Sequence, residues 1–108
     1  MSDRRQGPDQ KGDLGVVTER RQKLARPPLY KVLLHNDDFT TMEFVVMVLK
    51  SVFSKPENEA VQVMLHIHKK GMGIAGTYTY EIGETKVAQT QALAEEHDYP
   101  LKCTLEEA

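Results

Sequence analysis

Cysteine is almost missing from this 108-residue chain. Cys103 stands alone, which excludes an intramolecular disulfide and a zinc site built from cysteines, and agrees with a reducing compartment. No apolar run reaches membrane-spanning length, and the N-terminus lacks the apolar stretch of a secretory signal. Both absences lead us to expect a soluble, intracellular protein. A basic body is missing too. Lys and Arg outnumber Asp and Glu seven to four over residues 1–26 but stand at seven against twelve over the remainder, so a tail of about +3 precedes a body of about −5. Such a body is a poor nucleic-acid partner, because phosphate binding relies on concentrated Lys and Arg. No internal repeat is present, and the length suffices for one modest core.

What the chain does have falls into two parts. Residues 1–26 are polar, carry Gly7, Pro8, Gly12 and Gly15, and hold one weak apolar patch at Leu14-Gly15-Val16-Val17; a flexible N-terminal extension is expected. Pro27-Pro28 closes it with a stiff, extended step. Residues 27–108 then form a single domain. Leu29-Tyr30-Lys31-Val32-Leu33-Leu34 reads as a strand, ended by the turn-forming cluster Asn36-Asp37-Asp38. A threonine hydroxyl at Thr40 stands three residues ahead of Glu43, the spacing of a capping box, so a helix starts here. Met42, Val45, Val46, Leu49, Val52 and Phe53 recur at helical steps and define its inward stripe, with Phe44 and Val48 off to the side.

Ser54-Lys55-Pro56-Glu57 reads as a break and a restart, with proline in the first turn of a second helix that runs to about Lys70 and turns Ala60, Val63, Met64 and Ile67 inward. Gly71 and Gly73 end it. Residues 74–82 alternate and favour β structure, and Gly76 marks a bulge or a close approach. Gly83-Glu84-Thr85 leads into a third helix to about His97 with Val87, Ala88, Leu93 and Ala94 buried; Pro100 stops it, and 101–105 form a last strand. The order β-α-α-β-α-β predicts an α+β fold in which three helices cover one face of a three-stranded, mainly antiparallel sheet.

The chemistry concentrates between the first strand and the first helix. Asn36 and Asp37 offer acceptor oxygens, and His68, at the end of the second helix, offers a ring nitrogen that can accept while neutral. Met42, Val45, Met64 and Ile67 line the adjacent space, and paired methionines beside polar acceptors suit a pocket for a bulky apolar side chain next to a charged head group. A metal site is the competing use of these residues, in a small hydrolase built on Asp37, Asp38 and the histidines. His66-Ile67-His68 argues against it. On a helix, residues two apart point roughly 200° apart, so this pair cannot share one ion. Cys103 lies in an apolar terminal strand where nothing in the sequence lowers its pKa, so a thiol nucleophile is not indicated. We expect no metal and no cofactor.

Three stretches taken together extend this reading. Lys31 to Val45 (KVLLHNDDFTTMEFV), Met64-Leu65-His66-Ile67-His68 with Gly71, and Glu84-Thr85-Lys86-Val87-Ala88 with Pro100 to Glu106 (PLKCTLE) closely resemble the ClpS family, adaptors of the bacterial Clp protease, in order and spacing from about Pro27 onward. The resemblance implies that the chain is not an enzyme. It implies that Asn36, Asp37 and His68 bind the free α-amino group of a protein's first residue, and that Met42, Val45, Met64, Ile67 and Leu101, with Asp38 and Thr40, shape the pocket for that residue's side chain, Leu, Phe, Tyr or Trp. It also implies that Glu81, Glu84 and Lys86 dock the N-terminal domain of a AAA+ Clp unfoldase of the ClpA or ClpC type. A monomer working in the bacterial cytoplasm, binding neither nucleic acid nor membrane, is the implied setting. Thr41 departs from the family pattern, where proline is frequent, and Met47 adds an apolar group to the first helix. The same fold within a ubiquitin ligase is a further possibility, against which the small size counts.

Overall fold

The structure is a computed structural model that describes residues 27–108. The expectations for the extension, residues 1–26 with the patch Leu14 to Val17, lie outside the described residues. The elements follow in the order β1 (Leu29–His35), α1 (Met42–Ser51), α2 (Glu57–Lys70), β2 (Met72–Thr79), α3 (Tyr80–Glu96) and β3 (Lys102–Glu107). β1 is the central strand, paired antiparallel with β2 on one side and β3 on the other. The expected β-α-α-β-α-β fold is the one observed.

Strand alternation divides the sheet into two faces. Val32 and Leu34 are fully buried and join Ala75 and Cys103 in one core with Phe44, Val48, Leu49, Ala60, Ile67 and Ala94 of the helices. The register of β1 against β2 slips between Val32 and Leu33, where Val32 pairs with Gly76 but Leu33 pairs with Ile74. The extra residue of this bulge is Ala75, and its neighbour Gly76 is a close approach: the Tyr78 ring lies where its Cβ would be.

Several local expectations need correcting. The N-cap of α1 is Thr41, whose hydroxyl accepts from the Phe44 amide at 3.1 Å, because the Thr40 hydroxyl is turned back to Asp37. Of the expected inward line of α1, Val45, Leu49, Val52 and Phe53 are buried, but the buried stripe of the helix is centred on Phe44, Val45, Val48 and Leu49, turned away from Met42 and Val46. Phe44 goes inward because Tyr99 and His97 stack against it, with centroids 4.7 and 5.2 Å away, and Met42 is left 42% exposed. Pro56 is the N-cap of α2, not part of its first turn, and the helix has no side-chain cap. The β2 strand ends at Thr79, so Tyr80, Glu81 and Ile82 belong to α3. The β preference of Tyr80 and Ile82 is overridden by tertiary contact, since Tyr80 packs edge-on against Tyr30 with centroids 5.1 Å apart. Gly83 lies inside the helix, where Leu105 would meet a Cβ at 2.7 Å. The buried face of α3 runs through Gly83, Thr90 and Ala94, which leaves Ala88 exposed.

Candidate functional site

The chain leaves β1 at His35 and is fastened almost at once. The Asn36 amide donates to the Gly71 carbonyl at 2.8 Å, and the Gly71 amide donates to Ile67 O at 2.9 Å. Gly71 caps α2 with φ +96°, the left-handed backbone that glycine adopts without the penalty of a Cβ. These two bonds hold the Asn36 loop against the last turn of α2, the turn that carries His68. Gly73 completes the approach, because a side chain there would meet Ile67 Cγ1 at 2.8 Å.

The loop is held from within by Asp37. Its Oδ1 accepts from the Phe39 and Thr40 amides at 2.8 and 2.7 Å, and its Oδ2 accepts from the Thr40 hydroxyl at 2.8 Å. Burial pushes the Asp37 carboxyl up, but the bonds from the Thr40 amide, the Phe39 amide and the Thr40 hydroxyl together outweigh it, and the pKa lies below 3.8. Asp37 is therefore a carboxylate at neutral pH. The Thr41 hydroxyl also reaches Tyr99 Oη at 3.4 Å, so the start of α1 is fixed from both sides.

A cleft of about 400 Å³ opens above this junction, lined by Asn36, Asp37, Asp38, Thr40, Thr41, Met42, Glu43, Val45, Met64, Ile67 and His68. The acceptors expected from sequence and the apolar residues expected beside them thus meet in one space. Three carboxylates, Asp37, Asp38 and Glu43, line it, and among the described residues no Lys or Arg does. Such a cavity favours a cation. Its other wall is Met42, Val45, Met64 and Ile67, of which all but Met42 are buried, an apolar slot beside a negative rim.

Not every expected residue is there. Leu101 is buried in the core and does not line the cleft. Thr41 and Glu43 do line it, although the sequence reading gave neither to the site. Their acceptor oxygens beside Asp37 were the available signal. His66 and His68 line separate clefts, His66 facing Lys31, Leu33, Val63 and Ile74, as the 200° argument requires. Among the described residues no three His, Cys, Asp or Glu side chains are grouped as a metal site would need.

Glu81, Glu84 and Lys86 do not share one face. Glu81 and Glu84 are exposed on the first turns of α3, and Glu84 borders a groove with Tyr30, Tyr80, Val87 and Leu105. A hydrogen bond to Glu84 and then the charge of that carboxylate raise the Tyr80 pKa. Lys86 turns the other way, donating to the Val52 carbonyl at 2.8 Å beside the Tyr78 ring. Its ammonium thereby caps the end of α1. Burial pushes the Cys103 thiol up to about 11 against a smaller lowering by Thr90, which leaves it unreactive at neutral pH.

With this geometry in place, comparison with known proteins decides the family. The model of a family described as ATP-dependent Clp protease adaptor protein ClpS matches residues 25–104. The chain belongs to the ClpS family. It is 57% identical over 96 residues to the ATP-dependent Clp protease adapter protein ClpS of Myxococcus xanthus (strain DK1622), covering 87% of this chain and 90% of that protein. It is 52% identical over 108 residues to the ClpS of Parvibaculum lavamentivorans (strain DS-1 / DSM 13023 / NCIMB 13966), covering 98% of each. Among solved structures, Agrobacterium tumefaciens ClpS2 bound to L-phenylalaninamide superposes with a TM-score of 0.74 at 41% identity, over 77% of this chain and all of that one. A ClpS protein is an adaptor for the Clp protease and not itself an enzyme. No helix among the described residues is long and apolar enough to cross a membrane.

Proposed function

We propose that the cleft binds the free α-amino group and the first side chain of a polypeptide, and that the chain delivers proteins so captured to a AAA+ Clp unfoldase. The observation that carries this reading is the meeting of an acceptor rim with a methionine-lined slot in one cleft. An α-ammonium presents three donors and, with a pKa near 8, is mostly charged at neutral pH. Asn36 offers an amide oxygen, Asp37 a carboxylate and His68 a ring nitrogen, so each donor has a partner. Acetylation removes the charge and two of the three donors. The apolar wall then takes the side chain, and Met42 and Met64 adapt its shape to Leu, Phe, Tyr or Trp. L-Phenylalaninamide, the ligand of the Agrobacterium relative, has the chemistry of such a terminus: a free α-amino group, an aromatic side chain and an amide where the chain would continue.

The partner is the N-terminal domain of an unfoldase of the ClpA or ClpC type, docked by a monomeric adaptor in the bacterial cytoplasm. Glu81 and Glu84 are the exposed charges available to that contact, while Lys86 supports it by fixing α3 to the end of α1. The extension, residues 1–26, serves in handover. Titration of the protein with two peptides, one beginning with free Leu and one with N-acetyl-Leu, tests the central claim. Binding of the first and not the second is expected, and equal binding of both would overturn it.

A further inference from the structure

We infer that Thr40 is a positioning residue for recognition: its hydroxyl orients the Asp37 carboxylate so that one acceptor position, on Oδ2, is left for the substrate's ammonium. The inference rests on the reading of the cleft as an ammonium site. A carboxylate has about four acceptor positions. Two on Oδ1 are taken by the Phe39 and Thr40 amides, and one on Oδ2 by the Thr40 hydroxyl. The two amides fix where the carboxylate sits and the hydroxyl fixes how its plane is turned. Thr40 itself lines the cleft, so the remaining position on Oδ2 is set from inside the site. Sequence placed Thr40 with the helix cap or with the side-chain pocket. Its geometry gives it a role at the head group.

Removing the hydroxyl while keeping the backbone amide bond separates this role from simple support of the loop. Full-length wild type, Thr40→Val, Thr40→Ala and Thr40→Ser are titrated with a Leu-initiated peptide and with L-phenylalaninamide across a pH series, with circular dichroism confirming the fold. Loss of one hydrogen bond that orients a charged acceptor weakens binding roughly 5- to 10-fold, so Val and Ala variants should lose that much at pH 7 and Ser should stay within about twofold. Without the hydroxyl the Asp37 carboxylate is less stabilised, so the acid limb of the binding profile should move to higher pH in Val and Ala and return in Ser. Asp38, Glu43 and His68 also face the cleft from the loop, α1 and α2; they are common to all four proteins, and the difference between profiles is what is read. Unchanged affinity in both hydroxyl-free variants would overturn the inference, and so would a uniform loss at every pH with the acid limb in place, the signature of a loosened loop. Failure of wild type to distinguish free from acetylated termini would instead bring down the ammonium reading itself.

Discussion

Replacing Asp37 by Asn removes a charge and leaves the loop. The Asn oxygen keeps both amide bonds, those now made at 2.8 Å by Phe39 and at 2.7 Å by Thr40. Its NH2 group takes the place of Oδ2 opposite the Thr40 hydroxyl, which can rotate to accept. The open acceptor on Oδ2 becomes a donor pointed at the substrate's ammonium. A hydrogen bond to a charged group contributes about 1.5–3 kcal/mol, and each 1.4 kcal/mol is tenfold, so affinity for a Leu-initiated peptide should fall roughly 10- to 150-fold. Asp37→Ala is a poorer probe, because it deletes the loop bonds along with the charge. Fluorescence anisotropy at pH 7 reads the affinity and thermal unfolding reads the fold. The carboxylate also makes stability depend on acid. Its folded pKa is lowered below 3.8, so its contribution is complete above that value and is lost as pH falls through the folded one. Asp37→Asn should flatten that acid limb of stability. A folded Asp37→Asn protein that binds the peptide within twofold of wild type would refute the assignment of Asp37 to the ammonium.

Met42→Ala, which trims an exposed wall of the cleft, should admit β-branched Ile or Val as the first residue, because exclusion there is steric; peptide titrations giving an unchanged Leu-to-Ile affinity ratio would reduce Met42 to packing. Gly71→Ala should cost about 1–2 kcal/mol in chemical denaturation through the left-handed backbone alone, since nothing lies within 4 Å of the added Cβ. Weaker peptide binding should accompany it, because Gly71 O anchors Asn36. Removal of residues 1–26 should leave peptide affinity unchanged yet slow the degradation of a Leu-initiated reporter by purified unfoldase and peptidase; equal rates would make the extension a passive leader.

The fold was legible where local signals agreed with packing. The apolar run of β1, the break at Ser54 to Glu57 and glycine at 71 each stand where the structure needs them. Period alone misjudged the centre of α1, because an aromatic cluster with Tyr99 and His97 pulls Phe44 inward, and no one-element pattern contains that partner. Tyr80 and Ile82 failed for the same reason, being strand-like residues taken into α3 by contact with Tyr30 on a distant strand. Thr90 was missed as core because it is polar, yet it is wholly buried beside Cys103. At the site, residue chemistry sufficed to collect Asn36, Asp37, Met42, Met64 and His68. Which hydroxyl caps the helix and which holds the carboxylate is a matter of rotation about two adjacent threonines, and spacing does not carry it.

Rigidity is distributed unequally in this cleft, and its selectivity follows from that. The acceptors sit on backbone tied at several points: Asn36 to Gly71, Phe39 and Thr40 to Asp37, Phe44 to Thr41. A preorganised acceptor set loses little on binding, and it leaves no means of rearranging around a terminus that lacks its donors. The opposite wall is framed by Met42 and Met64, whose unbranched side chains change shape at low cost. Demand for a free α-amino group should therefore be strict, while the choice among large first residues should be graded. An adaptor gains from that division. Many substrates share one chemical mark at the terminus but differ in the side chain beside it, and a cleft that is rigid toward the mark and compliant toward the side chain accepts the class without accepting internal polypeptide.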